Sequence, residues 1–182
     1  GVVSLQRSGR NRKMLRLYVM RHAKSSWAVP GARDFDRELN ERGRLALEKL
    51  SRAITAKQYT PELILCSSAT RTRETYEGIA SAFAEPPEVS FTEKLYSSGL
   101  DDYMRTIQSV TEARSLMLIG HNPMCGALAA SLAASGDEEH LQLIGYKYPT
   151  GTISVLDIEI ETWAELKPQS AVLADCLVPS EL

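Results

Sequence analysis

Leu15-Arg16-Leu17-Tyr18-Val19-Met20-Arg21-His22 is the stretch on which the fold turns. A short run of apolar and β-forming residues, ended by polar ones, is the pattern of a buried strand. The pattern returns at Leu63-Ile64-Leu65-Cys66 and at Ser115-Leu116-Met117-Leu118-Ile119-Gly120. Helical stretches separate these runs. Asn40 precedes one in which Leu47, Leu50 and Ile54 fall at helical spacing, and Pro61 stops its continuation. Ser67 or Ser68 is expected to cap a second helix, with Ile79, Ala80 and Phe83 inside it. Leu100 to Val110 reads as a third. Asn122-Pro123 is expected to open a fourth, with Asn as the cap and Pro in the first turn. Ala28 to Asp36, which contains Pro30 and Gly31, reads as a loop. Val89 to Phe91 is a weaker strand. Thr152 to Ile160 reads as an edge or near-edge strand, because Ile158 and Ile160 alternate with Asp157 and Glu159. The tail after Leu166 has no clear pattern. Strands alternating with helices imply an α/β fold with a mainly parallel sheet.

The chain has 182 residues, which favours one compact domain. Its hydrophobic fraction of 43% and charged fraction of 24% are ordinary for a globular protein. A net charge of -2 gives no reason to expect a nucleic-acid partner, and no apolar run is long enough to cross a bilayer. Three cysteines, Cys66, Cys125 and Cys176, are widely spaced and odd in number. They fit a reducing compartment such as the cytoplasm, and no disulfide framework. The three histidines, His22, His121 and His140, show no zinc-site spacing, so neither a metal nor another cofactor is expected. The folded body is expected over residues 14–182. Residues 1–13 are basic and lack apolar periodicity. They read as a disordered extension or cloning remnant, or as the remainder of a plastid or mitochondrial transit peptide.

Ligands of open α/β sheets gather beyond the carboxyl ends of the strands. There the first strand delivers Arg21 and His22, the second Ser67, Ser68 and then Arg71, and the third His121. An imidazole and three donors at one edge suit phosphoryl transfer. Arginine offers a planar, permanently charged fork to the phosphoryl oxygens. A neutral imidazole can attack phosphorus and form a covalent intermediate. The bland alternative, in which each histidine is a satisfied structural residue, weakens when both follow strands directly. A cysteine phosphatase is disfavoured: from Cys66, Arg71 is one residue short of the Cys-x5-Arg spacing and Arg73 one too far. Cys66 is better read as a small buried apolar residue. No Gly-x-Ser-x-Gly elbow or Gly-Lys phosphate loop occurs. A non-catalytic phosphate-binding module would need only the donors, and the intact His22 argues against it.

Four blocks in order carry a resemblance. Leu17-Tyr-Val-Met-Arg21-His22-Ala-Lys24-Ser25-Ser-Trp27 resembles the opening signature of the histidine phosphatase, or phosphoglycerate mutase-like, superfamily. Ala23 replaces the usual glycine, as in the branch similar to the phosphohistidine phosphatase SixA. Asp34-Phe-Asp36-Arg37-Glu-Leu39-Asn-Glu-Arg-Gly43, Leu63 to Thr75 and Gly120-His121-Asn122-Pro123 resemble the later blocks, and Thr150-Gly151 also fits. The resemblance runs from Leu15 to about Trp163. It implies a three-layer α/β/α sandwich and carries over Arg21, His22, Arg71 and His121 as the phosphate pocket, with His22 as nucleophile. It implies a metal-independent phosphatase acting on a phosphorylated substrate, either protein phosphohistidine or a small phosphoester.

Phe91-Thr-Glu93-Lys-Leu-Tyr96 resembles the segment that supplies an acidic proton donor in mutase-like members, which makes Glu93 the candidate general acid. Lys24 and Ser25 are candidates for the substrate entrance. Arg73 and His140 are read as surface residues. The chain lacks the extra segments of the mutases, and Ala28 stands where their signature would carry asparagine. Phosphatase is therefore favoured over mutase.

Overall fold

A computed structural model of the protein describes residues 14–27 and 29–182. The readings of residues 1–13 and of Ala28 lie outside the described residues. Seven strands form one sheet: β1 (Met14–Arg21), β2 (Leu63–Ser67), β3 (Glu88–Thr92), β4 (Ser115–Gly120), β5 (Ala133–Gly136), β6 (Ile153–Glu159) and β7 (Ala171–Leu177). Their order is β3-β2-β4-β1-β6-β7-β5. The first four lie parallel, β5 is parallel to β7, and β6 alone runs antiparallel to both neighbours. The helices are α1 (Glu41–Lys57), α2 (Thr70–Ile79), α3 (Leu100–Gln108), α4 (Met124–Leu132) and α5 (Glu138–Tyr146).

The two-residue period of β1 feeds two separate cores. Leu15, Leu17 and Val19 pack with Tyr103 and Ile107 of α3, Leu128 and Leu132 of α4, and Ile144 of α5. Tyr18 and Met20 point the other way, onto Leu47, Leu50 and Ile54 of α1 and Ile79 of α2. Helices thus cover both faces of a mainly parallel sheet, as a three-layer α/β/α sandwich.

Several local expectations are corrected. The strand over Ile153–Glu159 is no edge: it lies between β1 and β7. Its Asp157, read as a solvent-facing charge, sits opposite Arg16 in the β1–β6 register and accepts two guanidinium bonds, at 2.7 and 2.9 Å. A cross-strand ion pair lets a charged residue occupy an interior strand. The tail after Leu166 supplies β7, which covers the other side. Neither serine caps α2. Its N-cap is Ala69, and the first turn is secured by Thr72, whose hydroxyl lies 2.8 Å from both the Ser67 and Ala69 carbonyls. That helix ends at Ile79, so Ala80 and Phe83 lie beyond it. At α4, Pro123 is the N-cap rather than a first-turn residue. Asn122 caps from one position earlier, accepting the Gly126 N–H at 3.1 Å.

Candidate active site

Arg21, His22, Arg71 and His121 come together at the carboxyl edge of β1, β2 and β4. The register pairs Arg21 with Gly120, so His22 and His121 leave adjacent strands side by side, with ring centroids 5.4 Å apart. The backbone holds this pair from three sides. His22 N–H donates to the Gly120 carbonyl at 3.0 Å. Gly151 N–H reaches the Arg21 and His22 carbonyls at 3.1 and 2.9 Å, from a backbone with φ +79° that disfavours a side chain. Gly43 lets α1 approach closely: a Cβ there would lie 2.2 Å from the Lys24 carbonyl oxygen.

Hydrogen bonds and burial fix the state of these side chains. His22 is buried, and its Nδ1 lies 2.7 Å from the Ala23 carbonyl, which can only accept. The ring proton therefore sits on Nδ1, leaving the Nε2 lone pair available. Burial lowers the His22 pKa to about 4; the Ala23 carbonyl bond opposes the shift, and the Arg71, Arg21 and Arg37 cations add to it. Burial likewise lowers His121 to about 3, with His22 and Arg71 contributing and Asp34 opposing. Arg21 donates from Nη1 to the Tyr148 carbonyl at 2.7 Å. Arg71 donates from Nη1 to the Asp34 carbonyl at 2.8 Å and from Nη2 to Asp34 Oδ2 at 3.1 Å. His121 Nε2 lies 2.7 Å from Ser67 Oγ. Arg21 Nε, Arg71 Nε and His121 Nδ1 are buried without a hydrogen-bond partner among the described residues. Buried polar atoms are rarely left in that state.

These shifts predict a pH dependence of stability. A histidine whose pKa falls on folding stays neutral while the unfolded chain takes up a proton. Its contribution is complete above the unfolded value of 6.5 and is lost as pH falls toward about 4 for His22 and about 3 for His121. Within that window each contributes a slope of up to about 1.4 kcal/mol per pH unit. Asp34, lowered to about 2 chiefly by the Tyr96 hydroxyl, loses its contribution only below 3.8 and does not mask the effect. Urea unfolding followed between about pH 7 and about pH 4 is expected to show this loss. His22→Gln should remove the His22 part and leave that of His121; an unchanged slope in His22→Gln would show that burial of His22 is not a source of it.

The other candidates are placed differently. Glu93 opens the short turn Glu93–Leu95 and is exposed, and its carboxylate makes no hydrogen bond or ion pair to those four residues. Lys24 is exposed and forms no ion pair with a described residue. Ser25 is half-buried, and its Oγ accepts from Arg37 Nη2 at 2.7 Å. Arg73 lies over the Phe91 ring at 4.1 Å, and His140 is on α5; both are apart from the cluster.

Sequence reasoning missed Asp34, Tyr96 and Arg37, and placed Ser67 at the edge without its contact to His121. Asp34 Oδ2 accepts from the Tyr96 hydroxyl at 2.7 Å as well as from Arg71, and Oδ1 accepts from Arg37 at 2.9 Å. Tyr96 also lies edge-on to His121, with centroids 5.5 Å apart. Asp34, Arg37 and Ser67 fell within the blocks that carried the resemblance and Tyr96 at the end of the Phe91–Tyr96 segment, which was the one available signal. Among the described residues, no group of three or more His, Cys, Asp or Glu side chains could hold a metal. No helix among them is long and apolar enough to cross a membrane.

Two buried imidazoles thus lie beside one buried and one half-buried guanidinium group, at the strand ends of an α/β/α sandwich. Residues 17–96 match the histidine phosphatase superfamily (branch 1). A crystal structure of an Agrobacterium tumefaciens protein, provisionally assigned as the phosphohistidine phosphatase SixA, superposes with a TM-score of 0.76 at 35% identity. The match covers 91% of this chain and 98% of that one. An uncharacterized Mycobacterium leprae protein is 33% identical over 165 residues, 88% of this chain and 99% of the relative. An uncharacterized Arabidopsis thaliana protein labelled chloroplastic is 34% identical over 118 residues, 59% of this chain and 54% of the relative. The chain belongs to the histidine phosphatase superfamily, in its SixA-like branch, and is a phosphatase acting on a phosphorylated substrate.

Proposed function

We propose that His22 is the nucleophile of this phosphatase and that protein phosphohistidine is its substrate class. The observation that carries the mechanism is the trio of buried, unpartnered nitrogens, Arg21 Nε, Arg71 Nε and His121 Nδ1, around a neutral imidazole of fixed tautomer. Those donors match an incoming phosphoryl group. Ser67 Oγ accepts a long bond from Ala69 N–H at 3.4 Å and lies 2.7 Å from His121 Nε2, and we assign its hydroxyl proton to that nitrogen. That puts the His121 proton on Nδ1, ready for a phosphoryl oxygen.

His22 Nε2 attacks phosphorus, a new N–P bond forms, and the bond to the leaving group breaks. The leaving atom takes up a proton. Water then attacks phosphorus, releases phosphate and restores neutral His22. The assignment of the Agrobacterium relative supports phosphohistidine as the substrate, and so does the exposed position of Glu93, since an imidazole leaving group demands less acid catalysis than an alkoxide. Free, buried Cys66, Cys125 and Cys176 support a reducing compartment, cytoplasm or plastid.

Turnover of phosphohistidine protein, a phosphoserine peptide and sugar phosphates tests the substrate class. Phosphohistidine is expected to be cleaved fastest, and a clear preference for alkyl phosphates would overturn that assignment. Glu93 provides a second reading of the same panel. As the proton donor, its replacement in Glu93→Gln should slow alkyl phosphates by about 10²–10⁴. p-Nitrophenyl phosphate and phosphohistidine, whose leaving groups need less help, should slow far less. Equal slowing of every substrate would assign Glu93 a structural role and leave the proton to another group.

A further inference from the structure

A cleft that Lys24 lines, two residues after His22, gathers positive charge, and Arg21, His22, Arg71 and His121 are not among its lining residues. Its volume is about 390 Å³, and its walls include Lys24, Arg42, Lys49, Thr150 and Pro179. Arg42 and Lys49 lie on one stripe of α1. At about 100° per residue, a separation of seven returns nearly to the same direction, whereas Glu41 and Glu48 point roughly 80–120° away. Among the described residues, no carboxylate lines the cleft and none forms an ion pair with any of the three cations. In a chain of net charge -2, three uncompensated cations converging on one concavity call for an anion.

The cleft adjoins the reacting centre through the backbone. Lys24 is two residues after His22, so the two Cα atoms are within about 7 Å. On the other wall, Thr150 precedes Gly151, whose N–H is 2.9 Å from the His22 carbonyl. The Lys24 carbonyl accepts from Asn40 N–H at 3.0 Å, and Asn40 is the N-cap of α1, so the cationic stripe is tied to the nucleophile loop. A substrate whose phosphoryl group sits at His22 would place an adjoining part of itself here.

The geometry points to a second anion subsite, formed by Lys24, Arg42 and Lys49, that takes a phosphate or carboxylate group carried by the same substrate molecule. This rests on His22 being the centre of phosphoryl transfer. The shared chemistry has two sources, an acidic side chain flanking a phosphohistidine or a second phosphate on a small molecule.

The test uses the full chain and two matched pairs of substrates: phosphohistidine peptides with glutamate or alanine flanks, and a sugar bisphosphate with its monophosphate. p-Nitrophenyl phosphate, which has no second anion, serves as the reference. In at least one pair, kcat/KM relative to the reference is expected to favour the member with the second anion by about tenfold, chiefly through KM. Arg42→Glu combined with Lys49→Glu should abolish or invert that preference, and added salt should weaken it. The pair that responds identifies the source. Equal kcat/KM within both pairs for the wild-type chain would overturn the subsite, as would a preference that survives the double charge reversal. Turnover of p-nitrophenyl phosphate through a phosphorylated His22 would leave the nucleophile assignment standing in either case.

Discussion

His22→Ala is expected to lose turnover by on the order of ~10³-fold or more, the scale seen when an enzyme nucleophile is removed. The effect should be large because the covalent route depends on one lone pair. The Ala23 carbonyl fixes the proton on Nδ1, and burial beside Arg71 and Arg21 keeps the ring neutral, with its pKa at about 4. Near neutral pH the nucleophile therefore needs no deprotonation before it attacks. Rapid-quench labelling with a radioactive phosphoryl donor should trap an acid-labile, base-stable phosphoenzyme in the wild type and none in the variant. Inorganic phosphate or tungstate should still bind the variant, weakly, because Arg21, Arg71 and His121 remain. A rate close to wild type in His22→Ala would exclude His22 as nucleophile.

Arg71→Ala is expected to reduce kcat by about 10²–10³, the usual consequence of deleting one preorganised donor to developing charge. Arg71 is buried, and its Nε has no partner. Both Nη groups are held by Asp34, and that carboxylate is itself fixed by Tyr96 and Arg37. The guanidinium is thus oriented before substrate arrives. Arg71→Lys should recover little, since a point charge lacks the planar fork and cannot reproduce the bonds to Asp34. Phosphoenzyme formation in a single turnover is the measurement to follow, with thermal unfolding as a control for lost packing. A change of only a few-fold in both variants would mean that Arg71 organises the Asp34 turn and does not stabilise the transferred group.

The fold's centre was legible because its signals are local. The apolar runs of β1, β2 and β4 need burial on both faces, and runs of that length can find it only inside a sheet covered by helices. Each run ends where its polar residue begins, so Arg21, His22 and His121 follow directly from strand endings. Arg71 follows from the helix after β2. What stayed hidden involves partners far apart in the chain. Asp157 suggested an exposed edge until the register set it against Arg16, 141 residues away. The strand content of the tail was hidden for a related reason: β7 pairs with β6 on one side and β5 on the other, and its alternating exposure leaves a weak pattern.

Within the site, the sequence by itself determined the chemical types: an imidazole nucleophile candidate, two arginines and a second imidazole at successive strand ends. Tertiary structure decided their state. It brings Asp34 across 37 residues onto Arg71, sets Ser67 against His121 and buries both rings, which holds them neutral. It also places Lys24 opposite the Arg42–Lys49 stripe of α1. A residue's identity fixes what it can donate or accept. Its protonation and free valences depend on neighbours that only the folded chain supplies.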